Sequence, residues 1–84
     1  MYELRITQSA AKSLRKAPRE TALRIRKKLE ELRTDPFSSS NVRKLTAHPG
    51  YRVRVGAWRI LYLVEREILV ILVIEIGHRK ESYR

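Results

Sequence analysis

The chain has 84 residues, enough for one small domain over residues 1–84, and a domain of that size is marginally stable unless a partner or oligomer supports it. It has no cysteine and two histidines, which excludes a disulfide framework, thiolate chemistry and the usual structural zinc sites. Nineteen Lys+Arg stand against nine Asp+Glu, a net charge of +10. A polyanion is the natural partner of such a chain, with an acidic protein or an anionic membrane surface as alternatives. The first five residues lack the apolar core of a signal peptide. The longest apolar run, Ile68 to Ile74, is seven residues, short of the roughly 18–20 that span a bilayer. These features predict a soluble cytoplasmic protein with no membrane role.

The elements follow in chain order. Tyr2-Glu3-Leu4-Arg5-Ile6 alternates apolar and charged residues, the period of a half-buried strand. Thr7 is a candidate N-cap for a helix whose face carries Ala10, Ala11 and Leu14. Pro18 interrupts that helix and suits the opening of a second. There, Ala22, Ile25, Leu29 and Leu32 form one apolar stripe, with Glu20–Arg24 and Lys27–Glu31 as pairs four apart on the solvated side. Arg24, Lys27 and Lys28 lie opposite the stripe, where any solvated helix carries charge. Thr34-Asp35-Pro36 stops the helix.

Residues 34–50 read as a long connection, a kind of segment that is often functional or mobile. Tyr51 to Val55 then alternates, with Arg52 and Arg54 on one face and Val53 and Val55 on the other. Gly56-Ala57 permits a turn. Trp58 to Val64 and Ile68 to Ile76 are β-rich, joined at Glu65-Arg66-Glu67. The apolar run of the last segment suggests a central strand covered on both faces. The expected architecture is α+β: an N-terminal strand, a helical hairpin, then a three-stranded meander. Together the strands would form a four-stranded antiparallel sheet with both helices on one face.

Arg52, Arg54, Arg59, Arg79 and Tyr83 stand out as chemistry-bearing positions. Several guanidinium groups on one sheet face suit phosphate, because each planar fork can engage two oxygens. Charged strand positions also serve to block edge pairing, which is the plainer explanation for any one of them. Trp58, Tyr51 and Tyr62 fit either base stacking or the core. His48 has no neighbour that suggests a role. His78, next to Arg79 at a strand end, belongs to the side-chain type that exchanges protons near neutral pH. There is no Gly-rich phosphate loop, no Ser/His/Asp signature and no carboxylate cluster for a two-metal nuclease, so no metal or other cofactor is expected. RNA cleavage by this chain would use the substrate's own 2′-hydroxyl as nucleophile.

Val42-Arg43-Lys44-Leu45, Gly50-Tyr51-Arg52-Val53-Arg54-Val55-Gly56, Trp58-Arg59-Ile60-Leu61-Tyr62 and the ending Gly77-His78-Arg79-Lys80-Glu81-Ser82-Tyr83 resemble the RelE branch of the RelE/ParE toxin superfamily over essentially the whole chain. The resemblance implies a RelE-like fold and a ribosome-dependent endoribonuclease, the toxin of a type II toxin–antitoxin system, that cuts messenger RNA. It also implies a cognate RelB-like antitoxin from the same operon that masks the toxin in a hetero-oligomer. On this resemblance Arg59 and Arg79 match the arginines that stabilise the transition-state phosphate. Arg52 and Arg54 match a basic pair that contacts substrate phosphate, with Lys44 beside them, and Tyr83 matches the C-terminal tyrosine. Some relatives have lysine where this chain has Arg52 and Arg54, and an arginine does not give up its proton, so the proton acceptor is Tyr83 or His78. The alternatives are a ParE-like inhibitor of DNA gyrase without nuclease activity, which shares the middle motifs but not the Arg79…Tyr83 ending, and a degenerate nucleic-acid-binding homologue.

Overall fold

The computed structural model describes residues 1–78. Thr7 caps the first helix as its position predicts: Ala10 N donates to Thr7 Oγ1 at 3.2 Å, closing one of the orphan donors at the start of α1 (Gln8–Lys16). Ala17 closes that helix, and Pro18 stands at the N-cap of α2 (Arg19–Thr34), where its missing N–H costs nothing. The stripe of α2 is buried at Ile25, Leu29 and Leu32 and partly buried at Ala22. The ion pairs of the helix are Lys28–Glu31 and Arg33–Glu30, each three apart, rather than Glu20–Arg24 and Lys27–Glu31. Glu31 turns to Lys28, whose ammonium also donates to Ser39 Oγ and so ties the helix to the loop beyond it.

The strands are β1 (Glu3–Ile6), β2 (Val42–Lys44), β3 (Tyr51–Val55), β4 (Trp58–Glu65) and β5 (Val70–His78), in the spatial order β1-β5-β4-β3-β2. The α+β class and the meander β3-β4-β5 match expectation, and both helices pack on one face of the sheet. The sheet differs in two respects. It has five strands, because part of the expected long connection forms β2 and pairs with β3. It is mixed, because β1 runs parallel to β5 while the other pairs are antiparallel. Val42-Arg43-Lys44 carries one apolar residue in three, too short to show a period, and pairing direction leaves no mark in local alternation.

The last strand begins two residues later than the apolar run suggests. Leu69 takes a left-handed φ of 55°, and Ile68 and Leu69 stay in the turn, 65% and 49% exposed. Strand β5 is central, but only one of its faces is covered: Ile71, Val73 and Ile76 are buried, Leu72 and Ile74 half-exposed. Between Val73 and Ile76 the alternation slips by one. The register passes from Tyr62–Val73 to Leu61–Glu75, leaving Ile74 as an extra residue. Such a bulge re-aims every later side chain. Without it Glu75 and Gly77 would point into the core and Ile76 out of it. Thr7 stabilises the irregularity, since its N–H donates to Val73 O at 3.0 Å and its hydroxyl to Ile74 O at 3.3 Å.

The core joins Ala10, Leu14, Ile25, Leu29 and Leu32 of the helices to Val53, Ile60, Tyr62, Ile71, Val73 and Ile76 of the sheet. Each fully buried aliphatic side chain stabilises the fold by roughly 1.5–3 kcal/mol of transfer free energy. Tyr62 reaches furthest: its ring stacks on Tyr51 and its hydroxyl donates to Pro36 O at 2.7 Å, which anchors the loop after α2. Burial pushes the Tyr62 phenol well above its usual value, so it stays a donor. Asp35 Oδ1 accepts from the Phe37 and Ser38 N–H groups, and these bonds hold the Asp35 carboxyl below the usual range.

Candidate functional site

Three of the sequence-predicted arginines gather on the sheet face away from the helices. Val53 and Val55 are buried beneath the helices, so Arg52 and Arg54 project from the opposite side of β3. Register then decides their neighbours. Arg54 lies directly opposite Arg59 of β4, and Arg52 directly opposite Arg43 of β2. Like charges directly opposite one another destabilise a sheet. Among the described residues, neither Arg43, Arg52 nor Arg54 has a carboxylate partner; the ion pairs are Arg5–Glu3, Lys28–Glu31 and Arg33–Glu30. Two opposed arginine pairs without counter-charge are a local cost to the fold and a ready receptor for an anion.

Arg43 was not among the expected site residues; Lys44 was. In the register Lys44 lies opposite Tyr51, on the alternate face from Arg43, and it is exposed at the sheet edge. The signal for Arg43 is its cross-strand position to Arg52, which only the register of β2 reveals. A groove of about 670 Å³ runs between these strands, lined by Asn41, Val42, Arg43, Arg52 and Arg54. It adjoins a second, of about 320 Å³, in which Asn41 and Arg54 meet Arg24, Lys27 and Lys28 of α2. Asn41 holds the left-handed φ of 69° that turns the chain into β2, a conformation asparagine tolerates better than most residues. The basic side of α2 is thus continuous with the sheet face through Arg54. The Arg24 guanidinium also lies over Gly56, at 3.3 Å from where a Cβ would stand.

His78 does not join this cluster. It is in register with Trp58, packs edge-to-face on the indole at 5.5 Å, and shares a small pocket with Ser13 and Lys16 of α1. That is the helix side of the sheet, whereas Arg59 and Gly77 face the other. Arg79 and Tyr83 lie outside the described residues. His48 is exposed in the loop before β3. The open face is not uniformly basic: Leu61, Leu63 and Leu72 lie half-exposed beyond the arginines, and Glu75 borders them opposite Leu61. Among the described residues, no three His, Asp or Glu side chains come together as a metal site would need. No helix of the described residues is long and apolar enough to cross a membrane.

Residues 4–83 match the family model of the ParE toxin of the type II toxin–antitoxin system parDE. The chain belongs to the RelE/ParE toxins of type II toxin–antitoxin systems. Solved structures agree. The isolated Escherichia coli RelE toxin superposes with a TM-score of 0.82 at 31% identity, over 99% of this chain and 92% of that one. The toxin of the intact Escherichia coli RelBE toxin–antitoxin complex gives 0.82 at 30% identity, over 93% and 96%. The archaeal RelE–RelB complex of Pyrococcus horikoshii gives 0.81 at 25% identity, over 93% and 94%. A YoeB/ParE toxin of Agrobacterium tumefaciens, 16% identical, shares the fold with a TM-score of 0.79. No curated protein sequence matches the chain significantly. The RelE-type toxin that the sequence motifs suggest is thereby the type of this chain.

Proposed function

We propose that this toxin is a ribosome-dependent endoribonuclease that cleaves messenger RNA without a metal and so arrests translation. The observation that carries the proposal is the pair of opposed arginines Arg54 and Arg59, with Arg43 and Arg52 opposed beside them. A fold accepts such neighbours where an anion completes them, and the scissile phosphate of RNA is an anion whose charge grows during reaction. In that reaction the 2′-oxygen attacks phosphorus, the bond to the 5′-oxygen breaks, and a cyclic phosphate and a 5′-hydroxyl result. Arg59, with Arg79, meets the charge on the non-bridging oxygens at the transition state, as preorganised donors do in an oxyanion hole. Arg43, Arg52 and Arg54 bind the flanking phosphates, with Lys44 at the edge. We assign the 2′-hydroxyl's proton to Tyr83, because His78 packs against Trp58 across the sheet from Arg59.

The partner that restrains the toxin is, in this proposal, a RelB-like antitoxin. Two of the similar structures are toxin–antitoxin complexes, and the half-exposed Leu61, Leu63 and Leu72 give an antitoxin apolar surface to cover beside the basic one. The second reading, a gyrase inhibitor, draws its support from the ParE name of the family model.

The two readings differ in what stops first. After induction of the toxin alone, pulse labelling is expected to show protein synthesis falling while DNA synthesis continues. An early stop in DNA synthesis with translation intact would favour gyrase instead.

A further inference from the structure

Three glycines are present, and two have a structural reason. Gly50 has φ +118°, and a Cβ there would stand 2.8 Å from Tyr62 O. Gly56 has φ +61° in the two-residue turn between β3 and β4. Gly77 has neither: its φ is not positive, and among the described residues nothing lies within 4 Å of where its Cβ would be. A glycine inside a strand weakens it, and one that neither backbone nor packing requires often marks where a ligand approaches the chain closely. Gly77 lies near the end of the central strand β5, directly opposite Arg59, so the row across the open face is Arg54, Arg59, Gly77. The bulge at Ile74 is what puts a side-chain-free position on that face.

We propose that Gly77 is a substrate-admitting position: its lack of a side chain opens the sheet surface beside Arg59 to a phosphate group. The proposal rests on the assignment of Arg59 as a phosphate ligand. Any larger residue would project beside the guanidinium, since paired positions on one face hold their side chains in contact. Glu75, two residues earlier on the same face, closes the other side by repelling the anion. The phosphate is thereby directed into the space above Gly77 and towards Arg54.

The test uses the full chain with arginine side chains followed by nitrogen NMR during titration with tripolyphosphate. In the wild type the Arg59 and Arg54 guanidinium signals are expected to shift and saturate. In Gly77→Val, a substitution that strands favour, the Arg59 affinity is expected to fall at least about tenfold by steric exclusion. The Arg43 and Arg52 responses and the melting temperature should be retained. Gly77→Ala, which no strand conformation resists, should show a smaller loss, and it decides the matter if the valine variant does not fold. An Arg59 response that is absent in the wild type, or equal in wild type and alanine variant, overturns the proposal. Cleavage on programmed ribosomes, run on the same proteins, separates the two failures. Cleavage by Gly77→Val at the wild-type rate sinks the role of Gly77 alone. An Arg59 response that Gly77→Val abolishes, in a wild type that cuts no RNA, sinks the nuclease and leaves the opening in place.

Discussion

Arg59→Ala is expected to lower single-turnover cleavage of ribosome-bound messenger RNA by about 10²–10³, equivalent to roughly 2.7–4 kcal/mol of lost transition-state stabilisation. The reasoning is positional. Arg59 lies in the second strand of the meander, its Cα pinned by pairing to Arg54 on one side and Gly77 on the other, so its guanidinium is preorganised before charge develops. Ribosome binding should change little, because the grooves lined by Arg43, Arg52, Arg54, Lys27 and Lys28 keep the non-specific attraction. Neutralising Arg24, Lys27 and Lys28 together should do the reverse, weakening association and its salt dependence while sparing the chemical step. Arg24 contacts Gly56, so melting temperature should be checked alongside. A wild-type cleavage rate for Arg59→Ala would remove the arginine face from the mechanism. Tyr83→Phe and His78→Gln divide the proton-transfer role in the same assay: a large loss is expected for the first and little change for the second.

Gly50→Ala is expected to give the largest loss of stability of any single alanine substitution. At φ +118° an L side chain is strained by about 1–3 kcal/mol. The added Cβ also meets Tyr62 O at 2.8 Å and Leu63 Cδ2 at 2.9 Å. The first of these is backbone of the strand that carries Tyr62 and cannot move without disturbing the core, which adds roughly 1–3 kcal/mol of overpacking. In a small domain each kcal/mol lowers the melting temperature by about 4–8 °C, so a fall of more than about 10 °C is expected in thermal unfolding followed by circular dichroism. A change within about 2 °C, far under that scale, would mean that the chain turns into β3 in another way.

How much of this was visible beforehand depended on length and period. The α2 stripe spans three turns and the Tyr51–Val55 alternation five residues, and both hold in the structure, as does the Thr7 cap. The arginines of β3 could be put on one face because their valine neighbours are buried. What escaped the sequence was set by pairing rather than by local pattern. Strand β2 is three residues long, and its register, not its composition, puts Arg43 rather than Lys44 beside Arg52. The bulge at Ile74 lies inside an unbroken apolar run, where the phase of alternation cannot be seen. It separates His78 from Arg59, although the two positions lie at adjoining ends of their strands. The exposed Ile68 and Leu69 belong to the same run, and the left-handed turn at Leu69 ends it.

The most direct measurement is incubation of the purified toxin with ribosomes programmed with a defined messenger, in chelator, followed by mapping of the RNA ends. Cleavage within the ribosome-bound codon, with a cyclic phosphate upstream and a 5′-hydroxyl downstream, is expected, and Arg59→Ala should abolish nearly all of it. Intact messenger under these conditions, together with toxin-dependent inhibition of DNA gyrase in a supercoiling assay, would contradict the nuclease and make the toxin a gyrase poison.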